Sequence, residues 1–474
     1  MRLLNTLVLW PICLVLAGCA VGPDYRAPDL VGKLPAQYAS AVGSTSSAAV
    51  PDDWWKTFKD PALDRLVERA LVNSPDLAAA DANIRQARAA LATIAGTRPP
   101  QLNASSRIGR DQLSRDSENF ANIPFPNPQT GFTDYRAGFD ASWEIDLFGH
   151  TARGIEAAQA RLGGVEEQRR DVALRVAAEV ARNVIDYRAW QLRIDNGTQM
   201  LDNSREILRL TRLQEAAGLA SSNDVAQAQN AAYGAAAVLP PLQGARQAAL
   251  AALGVLVDQP LAQIGAELHG RAPIPLPTGP VPVGLPAELL RRRPDVRIAE
   301  RELAAATADI GVAVADQYPR LTLVGDGGWD TIRAGKFGEQ ASRFWNLGPQ
   351  LALPLFSGGR LRAQVDNRSA ARDAALASYR KAILAALADT ETALIRYGRE
   401  RERLGELDEA RAARLHQVEL ADQRYRAGET AMLELIDARQ QLASLDDQRF
   451  ASQQALAEDL AALFKALGGG FAQR

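Results

Sequence analysis

Few side chains in this sequence have the types and spacing that chemistry at a site requires. The histidines His150, His269 and His416 lie far apart and lack the spacing of metal ligands. A glycine-rich run at 325–328 has no lysine after it, so it does not indicate a nucleotide-binding loop. No serine, histidine and aspartate stand in an arrangement typical of nucleophilic catalysis. The sequence therefore predicts a protein that is not an enzyme and needs no metal or cofactor.

A run of three arginines could bind phosphate. Arg291, Arg292 and Arg293 are followed by Pro294 and an amphipathic segment. Proline is common at the first position of a helix. A helix start or a solvated face is therefore the favoured interpretation of the arginines.

Two acidic residues near the end of the chain follow a glycine. Gly218 and Gly428 are each suited to ending a helix. Beyond Gly428, Leu433 and Asp437 are four positions apart and share a helical face, with Glu434 beside it. From the residues alone, acids at these positions also fit a helix N-terminus, where they interact favourably with the helix dipole.

The N-terminus has the pattern of an export signal. Arg2 precedes an apolar run over 3–16, and two small residues then lead to Cys19. This resembles a bacterial lipoprotein signal and implies cleavage before Cys19, followed by attachment of lipid (palmitate) there. An ordinary signal peptide with a chance cysteine is the alternative. The residue after Cys19 is Ala20 rather than aspartate, which by analogy indicates delivery to the outer membrane.

Composition excludes some classes of protein. The chain has 474 residues, with 54 basic and 56 acidic side chains and a net charge of −2. Without a basic surplus, a nucleic-acid binder is not expected. Beyond the signal, no stretch is apolar over the roughly 18 residues that a membrane helix needs. If the protein crosses a membrane, it must therefore do so with strands closed into a barrel.

The chain contains two copies of one unit. Segments around Pro75 and Pro100 recur 219 positions later, around Pro294 and Pro319. Matches around Phe148 and Gly218 recur 208 and 210 positions later, as a shorter loop in one copy would produce. The predicted organisation is a signal peptide (1–18), an N-terminal lipid-anchored extended segment (19–60), a first repeat (61–271), a proline-rich linker (272–286) and a second repeat (287–474).

Long helices are predicted where proline is absent. The segment 153–217 would be about 100 Å long as one helix. Apolar side chains recur there every seven residues, which indicates coiled-coil packing, at Val180, Tyr187, Ile194, Leu201 and Leu208. The second copy has similar stretches at 359–427 and 433–467. A soluble helical bundle would be the simpler interpretation if no strands were present.

Each copy also predicts a pair of strands. Apolar and polar residues alternate over 135–146 and 345–355, with 102–111 and 321–327 as the first strand of each hairpin. The hairpin tips are predicted at 112–133 and 328–343. These lengths suit tilted membrane strands, although a half-buried soluble sheet shows the same alternation. Four strands cannot enclose a channel, so several chains must pool theirs, and three chains would give about twelve strands.

Several motifs together resemble the lipoprotein branch of the TolC-like outer-membrane efflux channel family. They are Cys19–Tyr25, Trp54-Trp55-Lys56 with Asp60-Pro61, Leu289–Asp295, Leu355–Gly359, Tyr425–Gly428 and Ala466–Gly470. The resemblance covers nearly the whole mature chain. It implies a mostly α fold with a membrane β-barrel. Three chains would form a twelve-stranded barrel and a periplasmic α-barrel tunnel of coiled-coil hairpins.

The same resemblance implies a function and its residues. The protein would be the lipid-anchored outer-membrane duct of a tripartite efflux system. Its partners would be a periplasmic adaptor and an inner-membrane pump of the resistance-nodulation-division type. Leu433, Glu434 and Asp437 would form a periplasmic gate that favours cations. A periplasmic lipoprotein adaptor is the alternative function.

A second pair of residues would hold that gate shut. By the resemblance, Tyr425 would donate a hydrogen bond to Asp224. Some family members also place an arginine two positions beyond the turn glycine. This chain has Thr430 there, and Arg424 or Arg426 could substitute.

Overall fold

The structure is a computed structural model that describes residues 20–29, 34–40, 43, 45–114, 130–277 and 279–469. The predicted signal peptide and the lipidation site Cys19 lie outside the described residues. So do most of the first hairpin tip and Gly470.

Most of the described residues are helical. The helices are α1 (Pro61–Asn73), α2 (Pro75–Ala95), α3 (His150–Ala216), α4 (Ser222–Val257), α5 (Leu261–Leu268), α6 (Leu289–Arg292), α7 (Pro294–Ala315), α8 (Arg360–Arg426) and α9 (Met432–Ala466). The strands are β1 (Thr45–Ser46), β2 (Gln101–Gln112), β3 (Gly131–Ile145), β4 (Val281–Pro282), β5 (Arg320–Thr331) and β6 (Arg343–Ala352). The long helices match the predicted segments within a few residues at each end.

The element order repeats along the chain, as the sequence matches predicted. Helices α3 and α8 have 67 residues each, and they begin at positions 150 and 360. Helices α4 and α9 begin at 222 and 432, which is the same spacing of 210. Within α3, the predicted seven-residue series is buried at Val180, Tyr187 and Leu201, as coiled-coil packing requires.

Two adjacent prolines lie inside α4, where the sequence did not suggest a helix. Pro240 and Pro241 are both exposed. Proline lacks the N–H that bonds to the carbonyl four residues earlier, so Ala236 and Ala237 lose their helical partners. Because the prolines face outward, water can satisfy those carbonyls, and the helix continues to Val257.

The chain divides into two compact units, and each takes segments from both halves of the sequence. The first comprises Met1–Ala27, Arg85–Gly164 and Glu300–Ser378. The second comprises Pro28–Ile84, Val165–Ala299 and Tyr379–Arg474.

The first unit contains a four-stranded antiparallel sheet in the order β2-β3-β5-β6. Both predicted hairpins are therefore confirmed. The hairpin tip predicted at 328–343 is too long, because β5 continues to Thr331 and β6 begins at Arg343. Gly328 instead lies opposite Gly138, and a Cβ on Gly138 would approach the Gly327 carbonyl oxygen to 2.6 Å. These glycines permit close strand contact rather than a turn.

The strand register separates apolar from polar side chains. One face carries most of the large apolar groups, many of them exposed: Leu102, Ile108, Phe139, Trp143, Trp345, Leu347 and Leu351. The other face carries the polar groups, including Asn103, Arg136, Asp140, Asp326, Asp330, Asn346 and Gln350. A sheet with this division can separate an apolar environment from water.

The second unit is organised around a buried aromatic cluster. Trp54 has no exposed surface and stacks on Phe464, with 5.3 Å between ring centroids. Asp60 caps α1 by accepting hydrogen bonds from the N–H groups of Ala62 and Leu63. The Trp54 and Asp60 motifs, on which the family resemblance partly rested, therefore have structural roles.

The arginine run lies at the end of α6, directly before α7 begins, as expected for a helix start. The Arg293 guanidinium contacts both carboxylate oxygens of Asp295, at 2.9 and 2.7 Å, and donates to the Ala466 carbonyl at 3.1 Å. Arg292 donates to the Val50 carbonyl. These contacts fix the start of α7 against the end of α9.

Among the described residues, no single helix has the length and apolar content needed to cross a bilayer. One pair, α4 with α5, meets those criteria only when the two helices are joined, and it is bent by 113°.

Candidate functional site

The two turns between long helices have the same backbone geometry. Gly218 and Gly428 have φ angles of +72° and +74°, a region that favours glycine. The N–H of Leu219 bonds to the carbonyl of Gln214 at 2.8 Å, and each glycine N–H bonds to a carbonyl three residues earlier. The second turn repeats this pattern, which is the Schellman arrangement that ends helices. Both predicted hairpin turns thus lie where helices end.

The helices that follow these turns begin differently. Ser221 caps α4: its hydroxyl accepts from the Asp224 N–H at 3.2 Å, and its own N–H donates to the Asp224 carboxylate at 2.8 Å. The corresponding cap of α9 is Ala431, which has no side-chain oxygen. Glu434 occupies the position that corresponds to Asp224, so it lacks the partner that Asp224 has.

The environment of Asp224 lowers the pKa of its carboxyl group. The Ser221 N–H is the main cause, and the Ser221 hydroxyl adds to it. Asp224 is therefore ionised and engaged within its own turn. Ser221 was not among the residues predicted from the sequence, although a serine three residues before an acid is a capping signal.

The predicted gate residues lie together on the exposed side of α9. Leu433, Glu434 and Asp437 are exposed, whereas Leu435 and Ile436 between them are buried. The first turns of α9 therefore have one buried face, which packs against the rest of the chain, and one exposed face with a leucine and two carboxylates.

Two further side chains lie beside Asp437: Gln441 contacts it directly, and Arg414 contacts Gln441. The side-chain amide nitrogen of Gln441 donates to an Asp437 carboxylate oxygen at 2.7 Å, and Arg414 on α8 donates to the side-chain oxygen Oε1 of Gln441 at 2.5 Å. Neither Gln441 nor Arg414 was predicted from the sequence. Gln441 follows Asp437 by one helical turn, a spacing that could have suggested the first contact.

The predicted gate-locking pair is not joined in this chain. Tyr425 is exposed, and none of the hydrogen bonds found among the described residues connects it to Asp224. The Thr430 hydroxyl is buried without a hydrogen-bond partner within the described part of the chain. Tyr425 and Asp224 stay a prediction for the assembled protein.

Arg424 and Arg426, which could substitute for the family arginine that Thr430 replaces here, form ion pairs with acids of their own hairpin. Arg424 lies 3.7 Å from Glu429 across the turn. Arg426 lies 2.8 Å from Asp422, and Arg439 on α9 approaches the same carboxylate at 3.6 Å.

Metal chemistry has no support in the part of the chain that the structure describes. No three histidine, cysteine, aspartate or glutamate side chains are grouped there so that they could hold an ion. His150 instead lies 3.1 Å from Asp316, and His416 lies 3.6 Å from Glu419.

Comparison with known proteins places these features in one family. A family model described as outer membrane efflux protein matches residues 66–257 and 285–469. The pyoverdine export outer membrane protein OpmQ of Pseudomonas aeruginosa is 34% identical over 473 residues, covering 99% of this chain and 97% of the relative. Nodulation protein T of Rhizobium leguminosarum bv. viciae is 29% identical and covers 97% of this chain and 92% of its own length.

Solved structures agree with this placement. The outer-membrane channel OprN is 35% identical and superposes with a TM-score of 0.83, covering 95% of this chain and 99% of that one. The CmeC outer membrane channel of Campylobacter jejuni gives a TM-score of 0.86 over 96% of each chain. At 22% identity, CmeC supports the fold alone.

Proposed function

This chain belongs to the outer membrane efflux protein family, and from that premise we propose that three copies of it form the exit duct of a tripartite efflux system. The duct conducts small solutes passively across the outer membrane. The alternative of a periplasmic adaptor is not supported, since the matching family and the similar solved structures are outer-membrane proteins.

The four-stranded sheet with two chemically distinct faces is the observation that carries this proposal. Its apolar face suits lipid and its polar face suits water, while β2 and β6 leave an open edge on either side. Open edges of this kind invite pairing with further strands. Three chains would supply twelve strands, which close into a barrel wide enough for solutes. The long helices α3, α4, α8 and α9 would form the periplasmic tunnel.

The partners follow from the same assignment. A passive duct needs an energy source elsewhere, so we assign it an inner-membrane pump of the resistance-nodulation-division type and a periplasmic adaptor. The relatives are named for export of pyoverdine and efflux of toluene, which fits small organic solutes as the cargo here. Cys19 would carry the lipid that anchors the mature chain in the outer membrane.

The exposed face at the start of α9 supports the gate assignment. Three copies of Leu433, Glu434 and Asp437 around a narrow aperture would form an apolar collar and six carboxylates. Like charges held close together repel one another and attract cations. The aperture would therefore favour cations. Tyr425 and Asp224 would hold neighbouring hairpins together in the closed state.

Assembly and conductance test the proposed duct. The mature protein is purified from outer membranes in detergent, and its native mass is compared with its gel mobility before and after heating. We expect a mass of three chains, a mobility that changes on heating, and ion conductance in planar bilayers. A monomer that needs no detergent and does not conduct would contradict the proposal. Mass spectrometry of the N-terminal peptide tests acylation of Cys19 independently.

A further inference from the structure

The polar face of the four-stranded sheet carries more acidic than basic side chains. By the strand register, its acids are Asp111, Asp134, Asp140, Glu144, Asp326 and Asp330, and its bases are Arg107, Arg136 and Arg320. Arg107 pairs with Asp111 of its own strand at 3.0 Å, and Arg320 pairs with Asp316, which lies outside the sheet. Arg136 is the arginine of this face that reaches acids of a neighbouring strand. Its placement therefore decides how much of the acidic charge is offset.

The Arg136 side chain extends across three strands. Arg136 is on β3, and its guanidinium nitrogens lie 3.8 Å from the Asp326 and Asp330 carboxylates of β5. Its guanidinium carbon lies 4.6 Å from the centre of the Phe344 ring on β6, within the range of a cation–π contact. Gly328, which lies between the two acids and opposite Phe344, has no side chain that could separate the guanidinium from the ring. Three strands together thus hold one cation over the polar face.

Neighbouring charges explain the direction of this side chain. Arg107 lies directly opposite Arg136, and Asp140 lies directly opposite Asp326. Like charges opposite one another destabilise a sheet. The Asn103 amide donates to Asp140 at 3.0 Å, whereas Arg136 is the cation beside Asp326. Its direction toward β5 therefore takes Arg136 away from Arg107 and brings it to an acid that needs a counter-charge.

The Arg136 guanidinium remains accessible to other molecules. The side chain is 48% exposed, and its separation of 3.8 Å from each carboxylate exceeds hydrogen-bonding distance. A guanidinium group presents five N–H donors in a plane that matches the geometry of a carboxylate or phosphate. The contact with the Phe344 ring holds the guanidinium in place without using those donors. A solute with an acidic group that passes along this face can therefore contact a positioned guanidinium.

We propose that Arg136 sets the charge preference of the part of the duct that the sheet forms. The inference rests on the proposed function, in which the polar faces of three copies line the passage. There, three guanidinium groups offset the carboxylates of Asp326 and Asp330, so the sheet admits solutes that carry carboxylate or phosphate groups. Without Arg136, the acids of this face would repel such solutes and favour cations. The role of Arg136 is thus opposite in sign to the one proposed for Glu434 and Asp437.

The ion selectivity of the purified protein in planar bilayers tests the role of Arg136. The background protein carries Glu434→Gln and Asp437→Asn, so that the proposed gate does not mask the contribution of the sheet. In this background, Arg136→Gln should raise the ratio of cation to anion permeability about threefold, as measured by reversal potentials in salt gradients. Arg136→Lys should keep the background ratio because it keeps the charge. Arg110→Gln is the matched control, since it removes an exposed arginine from the opposite face of the sheet and should leave the ratio unchanged.

A second variant keeps the test decisive if Arg136→Gln fails to assemble. Asp326→Asn with Asp330→Asn preserves side-chain size and should lower the permeability ratio about threefold, because Arg136 then has no acids to offset.

Three results would overturn the inference. A conducting trimer of Arg136→Gln with the background ratio would remove Arg136 from charge selection and leave the proposed function in place. An unchanged ratio in the double asparagine variant would do the same. An equal rise in Arg110→Gln would show that the effect does not belong to the polar face. A parent protein that forms no trimer and does not conduct would instead contradict the proposed function, and this inference with it.

Discussion

The carboxylate of Asp224 accepts hydrogen bonds from both the backbone N–H and the hydroxyl of Ser221, at 2.8 and 2.7 Å. The equivalent residues of the second copy are Glu434 and Ala431, and alanine can offer no such hydroxyl. The two turns therefore have the same backbone geometry, but the carboxylates of Asp224 and Glu434 differ in their hydrogen-bond partners. In one copy the acid stabilises a helix start. In the other it stands exposed beside Leu433 and Asp437.

Removing the N-cap side chain of α4 should destabilise the start of that helix, and adding one to α9 should stabilise the start of α9. An N-cap side chain contributes about 1 kcal/mol to a helix, which corresponds to roughly fivefold in local opening. Ser221→Ala should therefore speed amide hydrogen exchange in the first turn of α4 about fivefold, and Ala431→Ser should slow it similarly in α9. Exchange measured by mass spectrometry on peptides from both turns checks this. Unchanged exchange in both variants would show that the caps do not control these helix starts.

Removing the α9 carboxylates should reduce cation preference. Glu434→Gln with Asp437→Asn keeps side-chain size and hydrogen bonding but removes two negative charges from each chain. If these residues line the aperture, the ratio of cation to anion permeability should fall severalfold, as measured by reversal potentials in salt gradients across planar bilayers. The control is Glu409→Gln, which removes an exposed acid on α8 that has no assigned role in the gate. An equal loss of preference in that control would show that the effect is not specific to the α9 face.

Tyr425→Phe tests the lock separately from the charge. The change removes one hydroxyl and keeps the ring, so the fold should be unaffected. If Tyr425 holds neighbouring hairpins together in the assembly, the variant should raise the fraction of time that the channel conducts, with cation preference unchanged. Single-channel recordings measure both quantities. Identical open times in the variant and the parent protein would remove Tyr425 from the gate.

The segment after the predicted lipidation site depends on a close glycine contact. Gly22 has a φ angle of +90°, and a Cβ there would lie 2.5 Å from the Cα of Gly311. Arg153 fixes the same segment through the Val21 carbonyl at 3.2 Å and the Asp24 carboxylate at 2.7 Å. Gly22→Ala should therefore release residues 20–27 and speed their cleavage by protease at least tenfold in the purified protein. Gly244→Ala, at a site with open space around the new methyl group, should leave cleavage unchanged.

Sequence reasoning succeeded where a local pattern determines the structure. The seven-residue series that includes Val180 and Tyr187 predicted α3, and the alternation over 135–146 predicted β3, because burial on one side imposes those periods. Gly218 and Gly428 marked the helix ends because only glycine adopts their backbone angles without strain.

It failed where a residue's role depends on a distant partner. Gly328 was predicted to lie in a hairpin tip, but it pairs with Gly138 inside the sheet. Nothing in the sequence indicated that Arg153 contacts the N-terminal segment. Pro240 and Pro241 should end a helix by local rules, yet exposure on one side lets α4 continue. Contacts between residues more than 100 positions apart leave no periodic trace in a single sequence.

A half-buried pair of acids should make the stability of the second unit depend on pH. Burial raises the pKa of Glu458 to about 7, and the nearby Asp186 carboxylate adds to the effect. The Gln454 amide contacts both acids, at 2.5 Å from Asp186 and 2.9 Å from Glu458, and Arg182 lies 3.7 Å from Asp186. The folded chain therefore keeps a proton on this pair that the unfolded chain has already lost.

Stability should accordingly fall as the pH rises from about 4.5, the ordinary value for glutamate, to about 7. Above that range this contribution is lost, and below it the contribution is fully present. Glu458→Gln cannot ionise, so the decline in melting temperature between pH 5 and pH 7, measured by tryptophan fluorescence, should be at least halved. Glu409→Gln, an exposed site on α8, should keep the parent slope. Glutamine at position 458 cannot titrate between pH 5 and pH 7. If the melting temperature of Glu458→Gln still falls with pH as steeply as that of the parent protein, the proton lies on another group.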